Sequence, residues 1–256
     1  INKEILMKFS QLFLILSIAI SGFLYSNPMW TIYDIKVENP QAAANIISAT
    51  DELMASSFAK ENFKGSLHLN AYLANGESEA THFFAVLQPS LTEHMEWITS
   101  SQQSDAGQKF FNVLRNNSTS ISQRFNTFIQ TYGNPSNDDV YWIIHEFYAE
   151  PSDMEQFLKL TQKLDDETKD TFPGQFGVSQ VMFGGSPDVS HLLTVGYSSI
   201  AELEGWEDQV ATNPALQKYF KMADRVVDWK GSKLLFNARI YDSASDLEQF
   251  VTKDFE

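Results

Sequence analysis

The sequence predicts an α+β protein built from two βαββαβ units in one chain, with the two sheets supplying each other's cover. Three observations predict it. Residues 65–132 lie on residues 174–241 without a gap, with identities at Gly65, Gly76, His82, Val86, Ser90, Glu93, Trp97, Ala106, Gln108, Lys109, Phe111 and Tyr132. Chance would supply roughly four matches over that length, so the chain carries an internal duplication. Each copy alternates strand-like and helix-like hydrophobic periods in the same order. The punctuation repeats too: a proline after each first strand, a glycine before each second strand, and a Ser-x-x-Glu after each third.

Each unit opens on a strand rich in β-branched and aromatic residues, 30–37 and 141–148. Pro40 and Pro151 follow at an offset of 111 rather than 109, which places Asp34-Ile35 opposite His145-Glu146. Proline in the first turn starts a helix, and Ser152 with Glu155 reads as a capping box for the second copy. Met154, Phe157, Leu158, Thr161 and Leu164 then trace one helical face. Gly65 and Gly174 open second strands over 66–73 and 175–183. The turns at Asn75-Gly76 and Gly184-Gly185 lead into third strands over 82–87 and 191–196. Ser90/Glu93 and Ser199/Glu202 cap the next helices, whose apolar faces read as Leu91, Met95 and Ile98, or Ile200, Leu203 and Trp206. A break at Ser104-Asp105 or Asn213-Pro214 begins a further helical segment, and final strands run over 124–131 and 233–241. This is the split βαβ, or ferredoxin-like, order. Its sheet carries helices on one face only, so two such sheets are expected to pack face to face as a pseudo-dimer.

The expected organisation is a signal peptide over 1–26, with a short extension upstream of Met7, then a first repeat over 27–133, a second over 134–242, and a C-terminal tail over 243–256. Met7-Lys8 gives a basic start and residues 12–19 an apolar run; small residues follow in the spacing signal peptidase requires. Export to a periplasm or the outside follows, with no membrane association after cleavage. The chain has no cysteine, which excludes disulfides, thiol catalysis and cysteine-ligated metal. A net charge of −15 argues against nucleic acid and against an anionic membrane surface.

On element order and duplication over residues 30–241, the chain resembles the dimeric α+β barrel superfamily in tandem, single-chain form. That group includes cofactor-free monooxygenases, stress-responsive barrel proteins, haem-degrading enzymes and chlorite-dismutase-like haem proteins. It is also similar to secreted two-repeat proteins of unassigned activity. The resemblance implies a closed α+β barrel. It carries no catalytic signature onto particular residues here.

The residues that could carry chemistry are few. His82 and His191 are matched imidazoles at equivalent strand starts, able to bind a metal or ligand or relay protons, or else to satisfy a hairpin end or pack near the matched Trp97 or Trp206. Arg124 and Lys233 are matched cations on the final strands and could serve an anionic group. His145 and Glu146 are polar positions in an otherwise apolar strand; alternation turns only one of them towards the space between the sheets. They are the candidate acid–base residues. His68 and His94, lacking matched partners, read as surface residues. No metal-ligand spacing, Gly-x-Ser-x-Gly elbow or phosphate-cradling glycine loop occurs. No cofactor and no metal are expected. The first functional expectation is a non-catalytic protein binding a small apolar or aromatic ligand between its sheets, or associating with a partner. A cofactor-independent monooxygenase-like or isomerase-like enzyme is the alternative, and haem binding the third.

Overall fold

The structure is a computed structural model that describes residues 28–133, 138–172 and 174–242. The expected signal segment, the tail over 243–256 and most of the inter-repeat linker lie outside the described residues. The first unit comprises β1 (Met29–Val37), α1 (Pro40–Ala55), α2 (Ser57–Asn62), β2 (Ser66–Ala74), β3 (His82–Gln88), α3 (Leu91–Gln103), α4 (Asp105–Asn117) and β4 (Ser118–Gly133). The second comprises β5 (Tyr141–Tyr148), α5 (Pro151–Thr168), β6 (Gln175–Gly184), β7 (His191–Tyr197), α6 (Ile200–Thr212), α7 (Pro214–Ala223) and β8 (Asp228–Asp242).

The eight strands close into one barrel in the order β1-β3-β2-β8-β5-β7-β6-β4. The two sheets therefore do more than stack: the long strands β4 and β8 each pair with a strand of their own unit and with one of the other. β4 runs antiparallel to β1 and β6, and β8 antiparallel to β5 and β2. Closure removes every edge, which is the economical answer for two sheets that would otherwise each expose an unpaired strand. Helices pack outside. The first unit's helix–sheet core centres on Ile46, Leu53, Phe84, Trp97 and Phe110, the second's on Phe147, Phe157, Trp206, Leu216 and Tyr219. A third cluster, with Trp30, Ile32, Phe83, Ala85, Ile144, Leu192 and Leu235, fills part of the barrel interior.

The local signals act as read at most places. Ser90 Oγ accepts from Glu93 N, and Ser199 Oγ from Glu202 N, both at 3.2 Å. Gly76, Gly184 and Gly185 have φ of 58°, 74° and 78°, the left-handed backbone their turns require. The matched Gly65 and Gly174 serve a different need. A Cβ there would lie 2.0 Å from the carbonyl oxygen of Leu87 or Gly196, so the second strand can approach the third only without a side chain.

Three local expectations are corrected. The capping box at Ser152 does not form: α5 starts at Pro151 with Glu150 as its N-cap, and Glu155 instead pairs with Lys159. Leu91 and Met95 are 43% and 49% exposed, because α3 turns His94, Trp97 and Ser101 to the core. His94 is accordingly no surface residue; it is 0% exposed, with Nε2 2.8 Å from the Tyr33 hydroxyl.

Candidate functional site

Strand alternation sorts the side chains. On β1, Trp30, Ile32 and Asp34 face the lumen; on β5, Trp142, Ile144 and Glu146 do. On β4 the lumen face carries Arg124, Asn126 and Phe128; on β8, Lys233, Leu235 and Asn237. On β2 it carries His68, Asn70 and Tyr72, with Gly177, Ser179 and Val181 in the matching places of β6. The interior is thus walled by aromatic and aliphatic groups and studded with polar ones.

The pairing of strands re-aligns the two units. Ile35 stands opposite His82 and Phe147 opposite His191, so β1 maps on β5 at an offset of 112. Asp34 then matches Glu146 and Tyr33 matches His145, which corrects the one-residue-shifted alignment that the prolines suggest. The loop before α5 is simply one residue shorter than the loop before α1. Both carboxylates point into the lumen at one end of the barrel, and both sit beside a register shift against the long strand.

Around these two acids the symmetry breaks. Asp34 Oδ1 accepts from the Tyr72 hydroxyl at 2.7 Å and Oδ2 from Ser122 Oγ at 2.6 Å. In the second unit Val181 and Gly231 occupy the places of Tyr72 and Ser122, so Glu146 has no such hydroxyls. It takes cations instead: Glu146 Oε1 accepts from Arg124 Nη1 at 2.5 Å and from Lys233 Nζ at 2.8 Å. β4 lies three places from β5 round the ring, so the Arg124–Glu146 pair spans the lumen rather than lining one wall. Burial pushes the Glu146 carboxyl up, but the two cations, Arg124 foremost, outweigh it and hold the group below the usual range. Burial first, and the Asp34 carboxylate next, raise the Tyr72 phenol, which therefore stays protonated as a donor.

Several buried polar atoms on these lumen faces lack partners. Arg124 is 5% exposed, yet only Nη1 is engaged; Nε and Nη2 have no acceptor. Asn126, 0% exposed, donates Nδ2 to the Trp30 carbonyl at 3.2 Å and leaves Oδ1 unpartnered. Asn237 leaves its Oδ1 unpartnered as well. Native interiors satisfy nearly all such atoms, and these three residues bring open hydrogen-bonding positions to the lumen faces; Gln88, His94 and Ser101 carry such atoms as well. At the far end a satisfied relay runs from Asn237 Nδ2 to His68 Nδ1 (3.0 Å), from His68 Nε2 to Ser66 Oγ (2.6 Å), and from Ser66 to Asp242 Oδ1 (2.6 Å). His68 belongs to the lumen, not to the surface.

The other residues singled out from sequence fall elsewhere. Of His145 and Glu146 only Glu146 faces inward; His145 lies outside the barrel, with Nδ1 2.7 Å from Ser232 Oγ and its ring edge-on to Trp229. His82 and His191 occupy matched hairpin ends on the helix-facing side, beside Thr81 and Ser190 hydroxyls, and do not meet. Burial lowers all five imidazoles, to about 4 for His68, His94, His145 and His191. Arg124 and Lys233 do converge, on Glu146. Asp34, Tyr72, Ser122, Asn126 and Asn237 were not singled out from sequence. For Ser122 and Asn126 the signal was the polar run at every second position of β4, from 122 to 126, ending in an apolar wall; Asp34, Tyr72 and Asn237 lie on other strands.

The fold is the dimeric α+β barrel, with both halves in a single chain. Two monooxygenase-like proteins of known structure are similar to it. One, from Lactobacillus acidophilus, has 12% identity and a TM-score of 0.60, covering 85% of this chain and 97% of that one. The other, from Fusobacterium nucleatum, has 11% identity and a TM-score of 0.60, covering 86% and 96%. A chlorite dismutase variant from Candidatus Nitrospira defluvii, in complex with cyanide, has 14% identity and a TM-score of 0.51, covering 84% and 92%. No protein-family model matches the chain, and no curated protein does. Identities this low carry the fold and none of the chemistry.

Haem, which the resemblance to haem-containing barrels implies, does not fit the described residues. An axial imidazole needs a free nitrogen facing a roomy apolar space. His68 is tied on both nitrogens, to Ser66 and Asn237; His94 keeps Nδ1 unpartnered, but its ring is 0% exposed and packed against the rings of Tyr33 and Phe125, and His191 lies stacked on Phe147 at 5.4 Å. The helix–sheet space of the second unit is filled by Phe147, Phe157, Val178 and Leu216, all fully buried.

Proposed function

We propose that this protein binds one small planar, largely apolar molecule inside its barrel. The observation that carries the reading is the set of unpartnered polar atoms on Arg124, Asn126 and Asn237, buried within a lumen walled by Trp30, Phe83 and Phe128. Eight-stranded barrels are wide enough to hold one small ligand when side chains leave room, and the lumen faces of β3 and β6 carry Ala85, Gly177 and Ser179. Entry is at the end where Glu146 and Lys233 retain some exposure and Ser122 is open. Titration of the purified protein with aryl compounds, followed by Trp30 and Trp142 fluorescence, tests it. Saturable quenching with one site per chain is expected. A flat response across phenols, aryl ketones and aryl acids would sink the reading.

A second reading, a cofactor-independent oxygenase, is favoured by one feature: the Asp34 carboxylate held by Tyr72 and Ser122 at the lumen mouth. Asp34 is the base that could take a proton from a bound enol or phenol, its carboxylate held in place by the Tyr72 and Ser122 hydroxyls. Dioxygen uptake in the presence of bound ligand, lost in Asp34→Asn while binding persists, would support it. Binding without uptake leaves the non-catalytic reading standing. Export remains part of the proposal; the N-terminal sequence of the mature protein tests it.

A further inference from the structure

We infer that the lumen ligand is uncharged, presenting a carbonyl-type acceptor to Arg124 and a hydrogen-bond donor to Asn126, and that the corresponding carboxylic acids are rejected. The inference rests on the lumen reading and names the ligand class of that site.

Charge decides the first half. The cluster holds two carboxylates, Asp34 and Glu146, and two cations, Arg124 and Lys233, so it is already neutral. Both cations are spent on one oxygen of Glu146. A carboxylate entering beside them would be a buried third anion with no cation of its own. Taking an ion out of water is costly, and a cation already shared with Glu146 repays little of that cost. What Arg124 lacks is only hydrogen-bond acceptors: its Nε–H and Nη2–H form one edge of the guanidinium fork, and a carbonyl oxygen satisfies that edge without adding charge.

Register decides the second half. Asn126 follows Arg124 by two residues on one strand face, about 7 Å deeper along the wall. Its amide nitrogen is committed to the Trp30 carbonyl, so the open position is an acceptor, Oδ1, and it requires a donor. Level with these two positions on the neighbouring strands stand Ile32, Ala85 and Trp30, the last stacked on Phe128 at 6.1 Å, and these favour a flat apolar spacer. A para-hydroxyaryl ketone offers one acceptor and one donor in this polarity, at the two ends of a flat apolar spacer.

Three probes of one skeleton test the inference: 4-hydroxyacetophenone, acetophenone and 4-hydroxybenzoate, titrated at pH 7.5 against the intact protein. Losing the hydroxyl should weaken binding about ten-fold, the worth of one buried hydrogen bond. Asn126→Leu should erase that difference between the two ketones. The acid should bind at least ten-fold more weakly than the hydroxyketone. The acid–ketone comparison needs no variant, so a misfolded Asn126→Leu protein leaves it standing. If 4-hydroxybenzoate binds as tightly as the ketone or more so, the ligand-class inference is overturned while the lumen reading survives. The same holds if the hydroxyl makes no difference. If none of the three perturbs lumen tryptophan fluorescence, both fall.

Discussion

At the residue scale the two lumen carboxylates show how one position can be solved in two ways. Asp34 and Glu146 are equivalents, yet one is satisfied by hydroxyls and the other by cations. The energetic consequences differ accordingly. Glu146→Gln leaves Arg124 and Lys233 as buried cations without a counter-charge, which costs about 3 kcal/mol, the lower end for a broken buried pair because the carboxylate keeps some contact with water. Tyr72→Phe removes one of two donors to Asp34 and should cost about 1 kcal/mol. Urea unfolding midpoints should rank the two variants in that order; equal effects would mean that the ion pairs are no stronger than the hydroxyl contacts. Glu146 was legible in the sequence as a polar intruder in an apolar strand. Its partner Asp34 was not, because the prolines that seem to align the units lie beyond a loop that differs by one residue. A one-residue slip exchanges the two faces of a strand, so it hid the matched acid and offered Ile35 instead.

At the element scale the sequence was most readable where geometry depends on a single residue type. The matched serine caps, turn glycines and strand alternation all act where they were expected, since each answers a local need that neighbours cannot override. The helix faces were less readable. In α3 the pattern Leu91, Met95, Ile98 competes with His94, Trp97, Ser101 at the same spacing, and tertiary packing chose the polar-looking face because Tyr33 offers His94 a partner. The caps provide a clean test of independence. Ser90→Ala and Ser199→Ala should each cost about 1 kcal/mol, and together about 2, since they lie in different units and share no partner. Gly65→Ala should be far more damaging than either cap, as its Cβ meets a backbone carbonyl that cannot step aside. Thermal or urea melts of the four proteins would show it. A mild effect at Gly65 would mean that β2 and β3 can separate there.

At the scale of the whole molecule, the duplication made the element order legible, while closure was an expectation carried by resemblance. Nothing in a single strand's pattern says that β4 and β8 extend across to the other unit. The barrel and the helices packed on it also cover histidines from both units that the chain could have left in water, and this sets a whole-molecule response to acid. His68, His94, His145 and His191 are held near 4 by burial, against about 6.5 when unfolded. Between those values the unfolded chain binds more protons than the folded one, so stability is fully present above about pH 6.5 and falls as pH drops towards 4. Glu146, depressed below its usual range, adds a further loss at lower pH still. Asp139 works in the opposite sense: burial raises it to about 6, so its protonation relieves the folded state as pH falls. With four imidazoles against one carboxyl the sum is acid destabilisation. The urea midpoint should therefore decline steadily from pH 7 to pH 4.5, before ordinary carboxylates titrate. His94→Gln, which keeps a group able to meet the Tyr33 hydroxyl but cannot ionise, should flatten part of that decline. A midpoint constant over this range would mean that these imidazoles reach solvent in the folded protein.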